Sequence, residues 1–245
     1  MTEVITREET LDILCDDKLR IIQTKDGYRF SIDAVLLANF VTLKKHERLL
    51  DVGSGCGIIP IYITRKGFAN EMVGVEIQED LYNVSLRNKT LNHCTNIEFL
   101  LGDIITLKET LKTSLFHVVI SNPPYTRELT GRKSPCRSRL MARHETSLAL
   151  DDLVSVAFSL LYKRGRFYVI YPARRLGELI SVARSRKLEL KRLRLVHPKE
   201  SEKANLVLAA FIKEGGVGAT VEQPLYIYDK SSYTDEVKGY YCLQG

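Results

Sequence analysis

The stretch Arg48-Leu49-Leu50-Asp51-Val52-Gly53-Ser54-Gly55-Cys56-Gly57, followed by the apolar Ile58-Ile59-Pro60-Ile61, decides the fold. Its first five residues read as a short buried strand, and the glycines end that strand in a tight turn. Residues 58–66 then read as a helix. Glycine between a strand and a helix lets the backbone approach a ligand closely, and the helix start offers free N–H groups. The glycines are spaced GxGxG after an acid. A dinucleotide fingerprint would need glycine where Ile58 stands, and no GK[ST] phosphate loop is present. The loop therefore suits a ligand without pyrophosphate, whose carboxylate and ribose need neighbours.

The same alternation continues down the chain. Residues 72–76, 97–101, 117–121 and 166–171 read as strands, and 80–91, 151–162 and 176–187 as helices. Alternating strands and helices imply parallel pairing with right-handed crossovers. The expected fold class is α/β: a seven-stranded, mostly parallel sheet with helices on both faces. Strands 190–196 and 206–212, with no helix between them, are expected to form an antiparallel hairpin at one edge. The chain reads as a single domain, residues 1–245. It divides into accessory strands at 1–45, with Lys25-Asp26-Gly27-Tyr28 as the turn between them, a core at 46–215 and a tail at 216–245. Residues 126–145 show no period and read as a long loop, and loops of that length are usually functional.

Composition narrows the function. With 44% hydrophobic and 27% charged residues the chain has an ordinary globular make-up. No apolar run approaches the roughly 20 residues of a membrane span, and the first residues do not form a secretion signal, so a cytoplasmic protein is expected. The five cysteines (Cys15, Cys56, Cys94, Cys136, Cys242) are odd in number and scattered, which argues against a disulfide framework. Neither they nor the five histidines fall at metal-ligand spacing, so no metal is expected. The net charge of +6 hides two basic tracts, +5 over 127–144 and +10 over 163–199, on a remainder of −9. Such asymmetry points to an anionic partner, nucleic acid in the first instance. Oligomeric state is not addressed by any of these features.

Two further acids stand at strand ends. Glu76 closes the second strand, where a carboxylate can accept hydrogen bonds from both ribose hydroxyls. Asp103 follows the third, in reach of an adenine amino group. After the fourth strand comes Asn122-Pro123-Pro124-Tyr125. The prolines fix φ and remove two backbone donors, leaving a stretch rich in acceptors. An exocyclic amino nitrogen is a poor nucleophile because its lone pair is delocalised into the ring. The Asn122 side-chain oxygen and the Pro123 carbonyl can each accept one of its N–H groups and draw it towards tetrahedral geometry, while Tyr125 offers a face for stacking. The chemistry is alignment and electrostatics rather than general-base catalysis.

Together, DVGSGCG, the acid of VGVE, the GD of LLGDI and NPPY resemble the amino-methylating group of class I (Rossmann-like) methyltransferases. These motifs alone leave adenine-N6, guanine-N2 of rRNA and protein glutamine-N5 as targets. Residues 23–40 (QTKDGYRFSIDAVLLANF), 141–145 (MARHE) and 224–241 (PLYIYDKSSYTDEVKGYY) are similar to the bacterial tRNA(Val) adenine-N6 methyltransferases. In one departure, Lys230-Ser231-Ser232 stands where that pattern has an Asp-Gly-type turn. The resemblance implies S-adenosylmethionine as cofactor and tRNA as partner. It assigns cofactor contacts to Asp51, Gly53, Ser54, Gly55, Gly57, Glu76, Ile77, Asp103 and Ile104, with Phe30 and Asp33 closing the pocket, and the target adenine to Asn122, Pro123, Pro124 and Tyr125.

Length and layout agree with this choice. A glutamine-N5 enzyme of the release-factor type would carry a sizeable helical domain before the glycine loop. A restriction-type DNA enzyme would need a separate recognition domain. A compact catalytic domain must grip its substrate with its own surface, so Arg127, Arg132, Lys133, Arg137, Arg139 and Arg143 are expected to form a loop that RNA orders.

Overall fold

The computed structural model describes residues 5, 6, 8–14, 18–25, 32–124 and 148–241. The core strands are β3 (Leu49–Val52), β4 (Met72–Glu76), β5 (Ile97–Leu101), β6 (Phe116–Ser121), β7 (Leu161–Pro172), β8 (Leu188–His197) and β9 (Leu206–Lys213). They lie in the order β5-β4-β3-β6-β7-β9-β8. Two short strands, β10 (Thr220–Val221) and β11 (Leu225–Tyr226), pair with the outer side of β8. The sheet thus has nine strands rather than the seven expected, because two-residue strands carry no hydrophobic period to read. Only β9 runs against the rest, paired on both sides as the antiparallel hairpin with β8 and the closure on β7.

Alternating side chains divide the core between the two faces. Leu49, Met72, Val118 and Tyr168 pack under α1 (Ile32–Phe40), α2 (Ile58–Arg65) and α3 (Glu79–Leu91). Leu50, Val73, Val119 and Phe167 pack under α4 (Ile104–Leu111), α5 (Leu150–Leu160) and α6 (Leu176–Ser185). Acids open several of these helices, where they complement the dipole: Glu79 and Asp80 in α3, Asp151 and Asp152 in α5. Asp103 caps α4 by accepting from the Ile105 N–H at 2.8 Å.

The N-terminal segment differs from its expected form in two ways. Its strands, β1 (Glu9–Leu14) and β2 (Leu19–Thr24), pair antiparallel with Leu14 opposite Leu19, so the connection lies at 15–18 and not at Lys25 to Tyr28. Residues 32–40, expected as part of the strands, form α1 instead. All but two of its residues, Asp33 included, are buried, and a helix buried nearly all round has no amphipathic period to betray it. α4 and the C-terminal α7 (Asp235–Tyr241) are likewise additions to the expected elements.

The hairpin buries Leu19, Ile21 and Ile22 in the same apolar cluster as Val84 of α3 and is fastened to that helix by polar groups as well. Asn88 accepts from the Ile22 N–H at 2.7 Å and donates to the Ile22 carbonyl at 3.0 Å; Asn92, one turn on, treats Arg20 the same way. Arg87 forms a two-pronged ion pair with Glu9. The tail turns back over the α1–α2 face through β12 (Tyr228–Asp229), β13 (Ser232–Tyr233) and α7. Lys230 joins β12 to β13 at φ 53, the left-handed conformation that an Asp-Gly turn adopts at lower cost.

Candidate active site

The chain runs from β3 outward through β4 to β5, then returns to place β6 on the other side of β3. The crevice between the carboxyl ends of β3 and β6 is therefore the switch point of the sheet, where ligands bind in open α/β folds. A cavity of about 330 Å³ opens there, lined on one side by Gly53, Gly55, Glu76, Ile77, Asp103 and Ile104 and on the other by Ser121, Asn122, Pro123 and Pro124.

The glycine loop owes its shape to backbone bonds. Val75 O accepts from the N–H groups of Gly53 and Ser54 at 2.9 and 3.0 Å, and Gly53, Gly55 and Gly57 all take positive φ. At Gly57 a side chain is excluded twice: φ is +81, and an added Cβ would lie 2.6 Å from the buried Phe99 ring. Gly74 meets the same ring at the same distance. Phe99 thus props the loop from below, tying β5 to the turn after β3.

Glu76 is the best-held acid of the site. One carboxylate oxygen accepts from the Gly55 N–H at 2.8 Å and the other from the Gln78 N–H at 2.9 Å. Each oxygen keeps lone pairs for a vicinal diol in the cavity. Asp51 behaves differently. Strand alternation puts it on the inward face with Leu49, fully buried, and it does not line the cavity. Neither of its oxygens has a hydrogen-bond partner among the described residues, and the same holds for the Ser54 hydroxyl. Burial first, and the neighbouring Glu76 second, push the Asp51 carboxyl up to about 8. Burial also pushes the Cys56 thiol up to about 12, which leaves it unreactive.

Of the expected cofactor residues, six line the cavity; Asp51, Ser54 and Gly57 adjoin them in the glycine loop without reaching its wall, and Asp33 does not line it. Phe30 and Tyr125 lie outside the described residues, as do Arg127, Arg132, Lys133, Arg137, Arg139 and Arg143. Asn122 is 8% exposed and makes no hydrogen bond among the described residues, so its amide is free to face a ligand.

Several participants escaped the sequence reading. The Ser121 hydroxyl donates to the Val52 carbonyl at 2.8 Å and so locks the end of β6 to the end of β3. Leu148, Ala149 and Asp152 form the far wall near α4. Asn88, wholly buried, donates to the Cys56 carbonyl at 2.9 Å and joins the N-terminal hairpin to the glycine loop. Its signal was available: an asparagine in line with Leu81, Val84 and Ser85, on the stripe of α3 that should be apolar.

The second basic tract changes meaning in the structure. Arg166, Arg175, Arg184, Arg186, Arg192 and Arg194 pair with Glu47, Glu178, Glu189, Asp151, Glu222 and Glu236. Among the described residues, six of its twelve cations are thus partnered by carboxylates, four of which come from outside the tract. Net charge along the chain overstated the free positive surface.

A family model described as a methyltransferase domain matches residues 43–218. A protein of Phocaeicola vulgatus named tRNA1(Val) (adenine(37)-N6)-methyltransferase is 31% identical over 180 residues, which are 73% of this chain and 74% of that protein. The chain belongs to this family of methyltransferases. A protein of Porphyromonas gingivalis with the same name is 29% identical over 191 residues, 74% of this chain and 73% of its own. Among solved structures, a predicted O-methyltransferase from Agrobacterium tumefaciens shares the fold with a TM-score of 0.67 at 22% identity, covering 86% of this chain and 97% of that one.

The methyltransferase uses S-adenosylmethionine, and its cavity fits that cofactor. The wall offers a pinned carboxylate for the ribose at Glu76, apolar faces at Ile77 and Ile104 for a flat ring, and loop backbone at Gly53 and Gly55. No helix among the described residues is long and apolar enough to cross a membrane. No group of three or more His, Cys, Asp or Glu among them is placed to hold a metal ion.

Proposed function

We propose that this methyltransferase methylates the exocyclic N6 of an adenine in tRNA, in tRNA(Val) near the anticodon; the relatives reported above are named for adenine 37 of tRNA1(Val). The observation that carries the reading is the position of Asn122. It closes β6 at the switch point, faces the same cavity as the glycine loop and Glu76, and has its amide uncommitted. The bound cofactor supplies an electrophilic methyl group on its sulfonium. The protein supplies geometry. The Asn122 side-chain oxygen accepts one N–H of the target amino group and the Pro123 carbonyl the other, which turns the nitrogen lone pair towards the methyl. Proline at 123 and 124 holds φ fixed and offers no competing donor. After transfer the nitrogen is cationic and gives up its proton readily, so no strong base is required.

Roles for the other residues follow. Glu76 holds the ribose; Asp103 has one oxygen free of its helix cap for the adenine amino group; Gly53 and Gly55 admit the methionine end. Asp51 and Ser54 act from beneath the loop. The same reading treats residues 1–45, 46–215 and 216–245 as parts of a single domain, since core residues from all three share one apolar cluster. A tRNA substrate also makes the cytoplasm its place of work.

Incubation with tritiated S-adenosylmethionine and separate pools of tRNA, rRNA and protein tests the assignment. Label in tRNA, recovered as N6-methyladenosine, is the expected result. Label in rRNA or protein alone would overturn it.

A further inference from the structure

Five of the twelve tyrosines in the chain fall within residues 226–241. Three of them form a ladder. Tyr228 stacks on Tyr233 with ring centroids 5.2 Å apart and planes 15° apart, and Tyr233 stacks on Tyr241 at 5.6 Å and 12°. The inner rings, Tyr233 and Tyr241, pack against the apolar core. Tyr228 does not; it ends the stack and is 37% exposed. A cavity of about 310 Å³ opens beside it, also lined by Glu200, Asp229, Ser232, Thr234 and the Asp235–Lys238 ion pair, whose charges cancel at 2.9 Å.

The topology gives this ladder its place. β8 runs parallel to β6, so its last residues, Val196 and His197, lie at the same edge of the sheet as Asn122. β11 pairs with those two residues and leads directly into β12, where Tyr228 stands. β11 lies one strand beyond β8, so four strand steps separate β6 from β11, roughly 19 Å. That is the reach of about six stacked nucleotides. A strand of RNA with its target base at Asn122 can therefore extend along the edge to the ladder.

We propose that Tyr228 is a second RNA-contact site, a platform on which an unpaired base about six nucleotides along the strand from the target stacks. The inference rests on the tRNA reading above. A flat exposed ring backed by two parallel rings is rigid and costs little entropy to use, and bases stack on such rings whatever their sequence. The acids refine the choice. Glu200 and Asp229 have no ion pair among the described residues, so they repel phosphate and accept from N–H donors. The base thus enters edge first with its phosphates turned outward, and bases carrying an exocyclic amino group are preferred over uracil.

Steady-state methylation of a tRNA transcript, with cofactor affinity measured separately by calorimetry, tests this. Tyr228→Ala should raise KM for tRNA about tenfold and leave kcat and the Kd for S-adenosylmethionine within about twofold. Tyr228→Phe keeps the ring and should behave as wild type, and Asp229→Asn should relax the preference for an amino-bearing base at the platform. Tyr228 is outside the core, so the Ala variant should melt with the wild type. An unchanged KM in Tyr228→Ala overturns the proposal, and so does a parallel loss of cofactor affinity, which would make the ladder only a brace for the tail. Wild-type protein that labels no tRNA would instead bring down the functional reading, and the ladder with it.

Discussion

At the β3–β5 end of the sheet the carboxyl edge is open, and at the β8–β9 end it is covered. The open end is built from short parallel strands whose terminal residues project into a cavity: a glycine loop, a pinned glutamate, a helix-capping aspartate. The covered end is built from long strands, with β9 reversed and the tail laid against β8. Arg194 holds Glu236 with two hydrogen bonds of 2.6 and 2.8 Å, Arg192 holds Glu222 at 2.7 Å, and Tyr62 donates to the Tyr240 carbonyl. Parallel strands all end on one side, so their loops converge and leave a crevice. An antiparallel pair sends chain back across that side and fills it. Binding groups therefore gather at one end and fastenings at the other.

This contrast is broken most severely at Asn122. Replacing it by Ala should lower methyl transfer by about 10²-fold or more while cofactor binding persists. Activity near normal in that variant, measured with label in tRNA, would remove the cavity from the chemistry. Next in size is Gly57→Ala. The added methyl meets Phe99 in a left-handed backbone, and a loss of about 3 kcal/mol in denaturant unfolding, with weakened cofactor binding, is expected.

Asp51→Asn tests the open end through pH. The Asp51 carboxyl is raised from 3.8 to about 8, so between those values the folded chain holds a proton that the unfolded chain has lost. Its contribution to stability is therefore full at the acid end and declines as pH rises through the window. Asn does not titrate, so the variant without cofactor should gain stability over the wild type as pH rises. Denaturation midpoints at the two ends of the window check this, and equal pH slopes for both proteins would refute it.

The smallest effect belongs to the covered end. Arg194→Ala should cost about 1 kcal/mol, since Glu236 remains partly exposed, and should leave cofactor affinity untouched. Arg194 keeps the Glu236 carboxyl below its ordinary value near 4.5, so this contribution is present above that pH and fades on acidification. Thermal melts of the wild type should therefore show an acid-sensitive component that the variant lacks. A fall in cofactor affinity instead would erase the distinction between the two ends.

Legibility in the sequence follows the same division. The strand-loop-helix units around Asp51 and Glu76, and the strand end before Asp103, could be read because local pattern and local structure coincide there: short apolar strands, glycine turns, an acidic helix start. α1 could not, since a helix buried on every side has no polar face to set its period. Tract charge misled over residues 163–199, where six of the twelve cations meet carboxylates among the described residues, four of them from outside the tract, and Asp51 was expected at the ligand but faces the core.

By itself the sequence determined the alternation of strands and helices, the glycine turn, the acids at strand ends and the Asn122-Pro123-Pro124 stop, because each is specified by neighbours within a few residues. Only the tertiary structure decided which of these groups share a cavity. It buried Asp51 and pinned Glu76, bound the N-terminal hairpin to the loop through Asn88, and spent the arginines of β8 on the tail. It also carried the tyrosine ladder to the edge where Asn122 stands. Those outcomes depend on strand order and on which face a residue occupies, and both are set by pairings between segments far apart in the chain.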